Sequence, residues 1–249
     1  MEKKTKKELK ELRRMEREAR NKSTHDTHTP SSNSESMKWI TLGVVAVIIV
    51  GLLGFIIYNS MQRRAQQAQL ANQRVEISDL GWAKGATEAA KVTFVEFADF
   101  QCPACKAHEP MIDQVVTEYG DQVKIVYKHF PLSGHQNAMP AARAAEAAGA
   151  QGKFWEMHDL IFARQDAWSA QGAGEITDTF ISYAQELELD ITKFQTDFDS
   201  DETEDRIKTM QNEGINLGVM ATPTFFVNGK RVESGDYSFM KQAIEAELQ

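Results

Sequence analysis

The sequence predicts an α/β domain in which a βαβ half and a ββα half are separated by a block of helices, preceded by one N-terminal membrane-spanning helix. Three observations lead there. Residues 39–58 are twenty residues without a charge. Apolar, β-rich runs occur at residues 92–97, 123–130 and 224–227, with one helical pattern joining the first two and Asn228-Gly229 following the third. Between them, residues 138–217 carry almost wholly helical periodicity.

The formal charge of −8 over 249 residues conceals a split. Residues 1–38 hold 11 Lys/Arg against 7 Asp/Glu, and residues 59–249 hold 17 against 29. An acidic globular part excludes the basic face that nucleic-acid binding requires. The chain beyond residue 80 is long enough for one single-core domain. The expected organisation is a basic cytoplasmic tail over 1–37, an anchor over 38–58, a helical stalk or linker over 59–80, and a domain over 81–249 with its helical insertion at about 135–218.

In the tail, Leu9, Leu12 and Met15 form a thin apolar stripe on a charged background, which reads as a solvated helix or disordered tail. Residues 23–37 are polar and low in complexity, a linker, and His25 and His28 lack the further ligands that a metal site needs. At about 1.5 Å per residue, residues 39–58 span roughly 30 Å, the thickness of a bilayer core. Trp39 and Tyr58 stand at its ends, where amphipathic aromatics favour the headgroups. Asn59-Ser60-Met61-Gln62 offers no A-x-A cleavage site, so an uncleaved anchor is preferred. Arg17, Arg20, Lys22 and Lys38 precede the span, and Arg63, Arg64 and Arg74 follow it. The bias places the N-terminus in the cytoplasm and residues 59–249 outside, where disulfides persist. The Ala- and Gln-rich residues 59–75 favour helix and read as a stalk. Gly81 and Gly85 mark the entry to the domain.

Residues 92–97 are mostly apolar, as in a central strand covered on both faces, with Glu96 inside the run. Ile112, Val115, Val116 and Tyr119 form one helical face, Pro110 is expected to kink that helix, and Gly120 to end it. The next alternating run, residues 123–130, completes a right-handed βαβ unit. Three helical faces come next: the Ala-rich residues 141–150; Phe154, Trp155, His158, Ile161 and Phe162; and Phe180, Ile181, Ala184 and Leu187. A last helix of the block is expected over residues 199–217, acidic at its start as the helix dipole favours. Residues 224–227, a turn at Asn228-Gly229, residues 230–233 and a helix over 237–248 give the ββα half.

Cys102 and Cys105 are the only cysteines, and they form a C-x-x-C pair between a strand and a helix. The thiolate is the nucleophile of disulfide exchange, so the reacting thiol needs a lowered pKa. A position just ahead of a helix supplies unsatisfied N–H groups and the positive end of the dipole. Pro103 suits the first helical position, where no N–H is needed. Cys105 lies one turn on, within reach of a disulfide, as the more buried, resolving thiol. Half of a zinc site is the competing reading, but zinc takes four ligands and no second pair exists. No metal is therefore expected. His108 is expected at the surface, His135 as a polar cap near the Ala-rich helix with an approach to the active-site face as the alternative, and His158 as a satisfied core histidine.

Four stretches together resemble the thioredoxin superfamily, specifically its membrane-anchored DsbA-like thiol–disulfide oxidoreductases of bacteria. They are Val95-Glu96-Phe97-Ala98-Asp99-Phe100-Gln101-Cys102-Pro103-Ala104-Cys105, Phe130-Pro131-Leu132, Gln151-Gly152-Lys153-Phe154-Trp155 with His158, and Ala221-Thr222-Pro223-Thr224-Phe225-Phe226-Val227-Asn228-Gly229. The resemblance covers about residues 80–249. It implies a thioredoxin fold with the helical block as insertion, and no bound cofactor. It implies that Pro223 is a cis-proline facing the disulfide and that the Thr222 backbone pairs with an extended substrate peptide. It implies that Glu96 is a buried acid able to relay the proton of Cys105; the alternative is an exposed strand carboxylate. Some DsbA-type oxidases carry His where this chain has Ala104, which offers no side-chain donor to Cys102, so a weaker oxidant than such a relative is expected.

The function expected is the introduction of disulfides into exported proteins, with unfolded or reduced exported chains as substrates. A quinone-linked DsbB-like or VKOR-like membrane protein would reoxidise the pair. A reductase or isomerase is the alternative within redox chemistry, and a tethered peptide-binding assembly factor the alternative outside it.

Overall fold

The structure, a computed structural model, describes residues 6–22, 33–71, 73–86, 90–233 and 235–249, and at residues 6, 8, 9, 12, 19, 21, 22, 33–41 and 64–71 the backbone alone. Most of the expected linker, with His25 and His28, lies outside the described residues, as do the side chains of Leu9, Leu12 and Trp39. The chain forms two compact units, Met1–Arg64 and Ala65–Gln249.

In the first unit, α1 (Lys6–Lys22) is a charged helix with an Arg14–Glu18 pair at i, i+4. Helix α2 (Asn33–Ala71) is 39 residues long. Its stretch Leu42–Arg63, 22 residues with a mean hydropathy of 2.5 and none of it buried, is long and apolar enough to cross a membrane. The stretch expected as a stalk is helical only to Ala71, and there it continues α2 without a break, because no Gly or Pro intervenes. Residues 73–81 have no regular structure. They lie along the domain: the Val75 N–H donates to Gly229 O at 2.9 Å, and Arg74 donates to both oxygens of Glu247 at 3.0 Å.

A five-stranded sheet in the order β1-β3-β2-β4-β5 organises the second unit. It consists of β1 (Trp82–Gly85), β2 (Val92–Ala98), β3 (Val123–His129), β4 (Thr224–Val227) and β5 (Lys230–Arg231). Strands β2 and β3 are parallel, from Val92 opposite Val123 to Ala98 opposite His129. The crossover between them is α3 (Pro103–Tyr119), with a single 3₁₀ turn after it. Strand β4 runs antiparallel to β2, with Phe97 opposite Thr224. Strand β1, antiparallel on β3, stands where the sequence marks only an entry to the domain. Helix α3 runs from Pro103 to Tyr119 with Pro110 inside it, where the missing N–H leaves the Lys106 carbonyl without its i+4 donor. Helix α10 (Tyr237–Leu248) packs on the same sheet face as α3, around Phe94, Ile112, Val115, Phe225 and Met240. The opposite face carries Val95, Phe97, Val126, Phe130 and Phe226, with Val75 and Ile77 packed against them.

Between β3 and β4 lie α4 (Ala138–Gly149), α5 (Phe154–Ala163), α6 (Gln165–Trp168), α7 (Ala173–Glu186), α8 (Ile191–Asp199) and α9 (Asp201–Asn216). One helix was expected from residue 199 onward, and α8 before it was not. Asp190 caps α8 by accepting from the Lys193 N–H, and Ser200 breaks the pair and caps α9 by accepting from the Thr203 N–H. In α4, Ala141, Ala144, Ala145 and Ala148 are buried in one core with the aromatic residues Trp168, Phe180 and Phe194. Phe100 and Cys105 belong to that same core, so the insertion is seated on the C-terminal end of β2.

Candidate active site

Strand β2 ends at Ala98, and the chain turns over Asp99 to Cys102 into α3. The Cys102 N–H donates to Asp99 O at 3.0 Å. Cys102 is the N-cap of α3 in extended conformation, with Pro103 in the first turn. Because β4 is the antiparallel neighbour of β2, its N-terminal end lies at the sheet edge where β2 ends. The residues just before it, Thr222 and Pro223, are joined by a cis peptide bond. Their position brings Thr222 to the cysteine: the Cys102 thiol donates to Thr222 O at 3.4 Å. Cys102, Pro103, Cys105, Thr222 and Pro223 are thus brought to one end of the sheet.

The two thiols, both free here, sit in opposite environments. Cys102 is lowered to about 5, by hydrogen bonding from Cys105 first, with Thr222 and the backbone N–H groups of Cys105 and Ala104 adding to it against partial burial. Cys105 is fully buried and pushed well above the ordinary thiol range, first by burial and then by its bond to Cys102 and the charge of Glu96. Ala104 contributes through its backbone N–H and not through its side chain.

Glu96 is buried under α3, and its Oε1 has no partner among the described residues. Burial pushes its carboxyl up strongly, and the nearby Glu109 and Cys102 push in the same direction. Tyr127, opposite Glu96 on β3, is equally buried, and its hydroxyl has no partner among the described residues. His158 is buried, and that burial pushes its imidazole below the ordinary range against the pull of Asp159. His108 is half-buried at the surface, with its ring 5.7 Å from Phe225. The His135 side chain reaches the active-site turn, its Nδ1 lying 2.7 Å from Asp99 Oδ2, while its carbonyl accepts from the Ala138 N–H at the start of α4.

Sequence reasoning missed the groups that hold the turn. Asp99 accepts from the N–H groups of Gln101 at 2.7 Å and Leu132 at 2.8 Å. The buried Gln165 of α6 donates through Nε2 to Phe100 O at 2.7 Å and to Cys102 O at 3.0 Å. Gln101 donates to Ser169 O at 2.7 Å and accepts from the Asn137 N–H at 2.7 Å. Side-chain amides therefore fasten the cysteine turn to the helical insertion. Glu109, His158 and Asp159 each bring a possible metal-ligand atom within 4.8 Å of the others. The two ring nitrogens of His158 face different carboxylates, however, and an imidazole coordinates a metal through one nitrogen. The set is a line of polar groups, with His158 Nδ1 hydrogen-bonded to Asp159 at 2.9 Å and Nε2 3.7 Å from Glu109 Oε2, and not a convergent cage.

Chemically, the arrangement presents one activated thiol at the mouth of a helix, one buried thiol behind it and a backbone carbonyl beside the first. That is what thiol–disulfide exchange requires.

The thioredoxin family profile matches residues 82–246. The Na(+)/H(+) antiporter NhaA 3 of Salinispora tropica is 40% identical over 154 residues, 61% of this chain and 22% of that protein. The chain thus spans about a quarter or less of the length of the curated relatives it matches. Among solved structures, DsbA2 of Pseudomonas aeruginosa is 27% identical with a TM-score of 0.53, covering 69% of this chain and 96% of that one. Oxidised BdbD of Bacillus subtilis shares the fold at 23% identity with a TM-score of 0.62, covering 71% of this chain and 99% of that one.

Proposed function

The chain belongs to the thioredoxin family, and from that premise we propose that it is a membrane-tethered, DsbA-like thiol–disulfide oxidoreductase that oxidises exported proteins outside the cytoplasm. The observation that carries this reading is the asymmetry of the pair, with Cys102 lowered to about 5 and Cys105 raised. In the oxidised state a substrate thiolate attacks Cys102 Sγ, the Cys102–Cys105 bond breaks, and Cys105 leaves and takes up a proton. A second substrate thiolate then attacks the substrate sulfur of the mixed disulfide. The substrate gains its disulfide, Cys102 departs as a stabilised thiolate, and two electrons rest on the pair. A membrane partner of DsbB-like or VKOR-like type removes them.

Thr222 and Pro223 form the ledge on which an extended substrate pairs: the Thr222 carbonyl accepts from the Cys102 thiol in the reduced state, and it is released to accept from a peptide N–H once that sulfur is in a disulfide. The apolar α2 supports tethering. So do the antiporter relatives, whose matching part lies within a longer transport protein. The Lys/Arg bias supports the outward orientation.

The test is oxidation of a reduced two-cysteine peptide by the oxidised full chain, followed by thiol counting. The expected result is one peptide disulfide per protein pair and none with Cys102→Ser or Cys105→Ser, neither of which can form the pair; given the oxidised peptide instead, the Cys102 thiolate of Cys105→Ser is expected to attack its disulfide, release one peptide thiolate and accumulate as a mixed disulfide. Net reduction of an oxidised peptide by the reduced chain, with no forward oxidation, contradicts the oxidase reading.

A further inference from the structure

Gln165 opens α6 in the helical insertion, 63 residues along the chain from Cys102, and is only 2% exposed. Its Nε2 group donates to the two carbonyls that flank Gln101, Phe100 O at 2.7 Å and Cys102 O at 3.0 Å. The cysteine turn closes on itself through other groups: the Cys102 N–H donates to Asp99 O, and the Gln101 N–H to Asp99 Oδ1. Cys102 O also accepts the first bond of α3, from the Lys106 N–H, but at 3.3 Å. The N-cap of α3 is therefore held as firmly from the insertion as from its own helix.

The amide is held in place from several sides. Trp168 at the other end of α6 is fully buried and donates through Nε1 to Ile161 O at 2.8 Å. The buried Asn137 donates through Nδ2 to Ser169 O at 3.2 Å and Gln171 O at 2.9 Å. At the surface, Lys106 of α3 pairs with Asp166 at 2.8 Å. A glutamine suits the position chemically. It offers two hydrogens to two buried carbonyls and adds no charge, whereas an apolar side chain would leave both carbonyls without that donor.

Holding Cys102 O holds the ψ angle of Cys102, now 119° with φ at −74°. That angle sets where Sγ stands relative to the N–H groups of Ala104 and Cys105, which, with the Cys105 thiol and Thr222, favour the thiolate. In the disulfide the same sulfur carries no charge, so these contacts stabilise the reduced state more than the oxidised one.

We propose that Gln165 is a positioning residue through which the helical insertion sets the reactivity of Cys102 and the balance between the reduced pair and its disulfide. The proposal rests on the reading of Cys102 as the reacting thiol. Gln165 acts through the Cys102 carbonyl and takes no part in the exchange of bonds. Its loss frees the Cys102 peptide, weakens the donors on the thiolate and makes the pair a poorer oxidant.

The experiment uses the full chain with Gln165→Met, which keeps the length of the side chain and removes the donor without adding a charge. Wild type and variant are equilibrated with mixtures of reduced and oxidised glutathione at neutral pH. Two glutathione thiols there pass two electrons and two protons to the Cys102–Cys105 bond and become glutathione disulfide. Iodoacetamide alkylation of the reduced chain against pH is the parallel readout, and thermal unfolding of both redox states checks the fold. In Gln165→Met the equilibrium is expected to move about tenfold toward the protein disulfide, a potential about 30 mV less oxidising. The alkylation midpoint is expected to rise from about 5 to about 6. A glutamine that served stability alone would lower the melting temperature of both states and move neither readout. Gln165→Glu restores one donor, because a buried carboxyl facing two carbonyls keeps its proton, and is expected to fall between wild type and Gln165→Met. A folded Gln165→Met with wild-type equilibrium and midpoint overturns the proposal; should that variant not fold, wild-type values in Gln165→Glu do so. Normal exchange in the wild type with neither readout moved in the variants overturns the role of Gln165 and keeps the redox reading. Absence of exchange in the wild type overturns both.

Discussion

At Cys102 the balance is between partial burial, which raises a thiol, and hydrogen-bond donors, which lower it. Hydrogen bonding wins because several groups converge on one sulfur: the Cys105 thiol, Thr222 and the N–H groups of Cys105 and Ala104. The iodoacetamide rate of the reduced chain is accordingly expected to rise through a midpoint near pH 5. The same shift makes a stability statement. A group whose folded pKa lies below its unfolded value of 9.0 stabilises the reduced fold fully above that value, and the contribution is lost as pH falls through about 5. Thermal unfolding of the reduced chain, compared with the oxidised chain at each pH, measures it; a thiol titrating near its ordinary value contradicts it. Cys102, Pro103 and Cys105 are legible in the sequence because they are adjacent in it. Gln165 and Asp99 are not, because their roles depend on approach in space. Gln165 reaches Cys102 O across 63 residues of chain, and no local pattern distinguishes it from a surface amide.

Elements with long apolar patterns were legible: β2, β3, β4, α3, α5, α7 and α10 all appear where periodicity placed them. Strand β1 was not, since four residues of alternating exposure at a sheet edge carry little signal. The boundary of α8 and α9 was hidden because the polar run over residues 199–206 reads equally well as the start of one helix, and Ser200 acts through its cap. A close approach of elements was equally invisible. A Cβ on Gly214 of α9 would lie 2.7 Å from Phe130 Cδ2 and 2.9 Å from Phe97 Cδ1. Helix propensity favours Gly214→Ala by about 1 kcal/mol, but overpacking a core costs about 1–3 kcal/mol. Both rings are fixed edge to face, 6.3 Å apart at 89°, and Phe97 also meets Phe226. Overpacking is therefore expected to win. The variant should lower the urea midpoint at unchanged m-value, and a raised midpoint contradicts so tight a contact.

On the scale of the whole molecule, the basic tail and apolar helix are distinct in composition from the acidic domain, and this split was the most legible feature of all. The direction of electron flow is the least legible, because it depends on the relative stability of two redox states. Two opposing effects meet here. Backbone donors stabilise the Cys102 thiolate and so favour the reduced state, while Ala104 adds no side-chain donor. The most direct measurement is the reduction potential of the Cys102–Cys105 pair in the full chain, equilibrated against glutathione. The expected value is more oxidising than thioredoxin at about −270 mV and less oxidising than DsbA at about −120 mV. A value at or below that of thioredoxin would contradict the oxidase reading and make the chain a reductase.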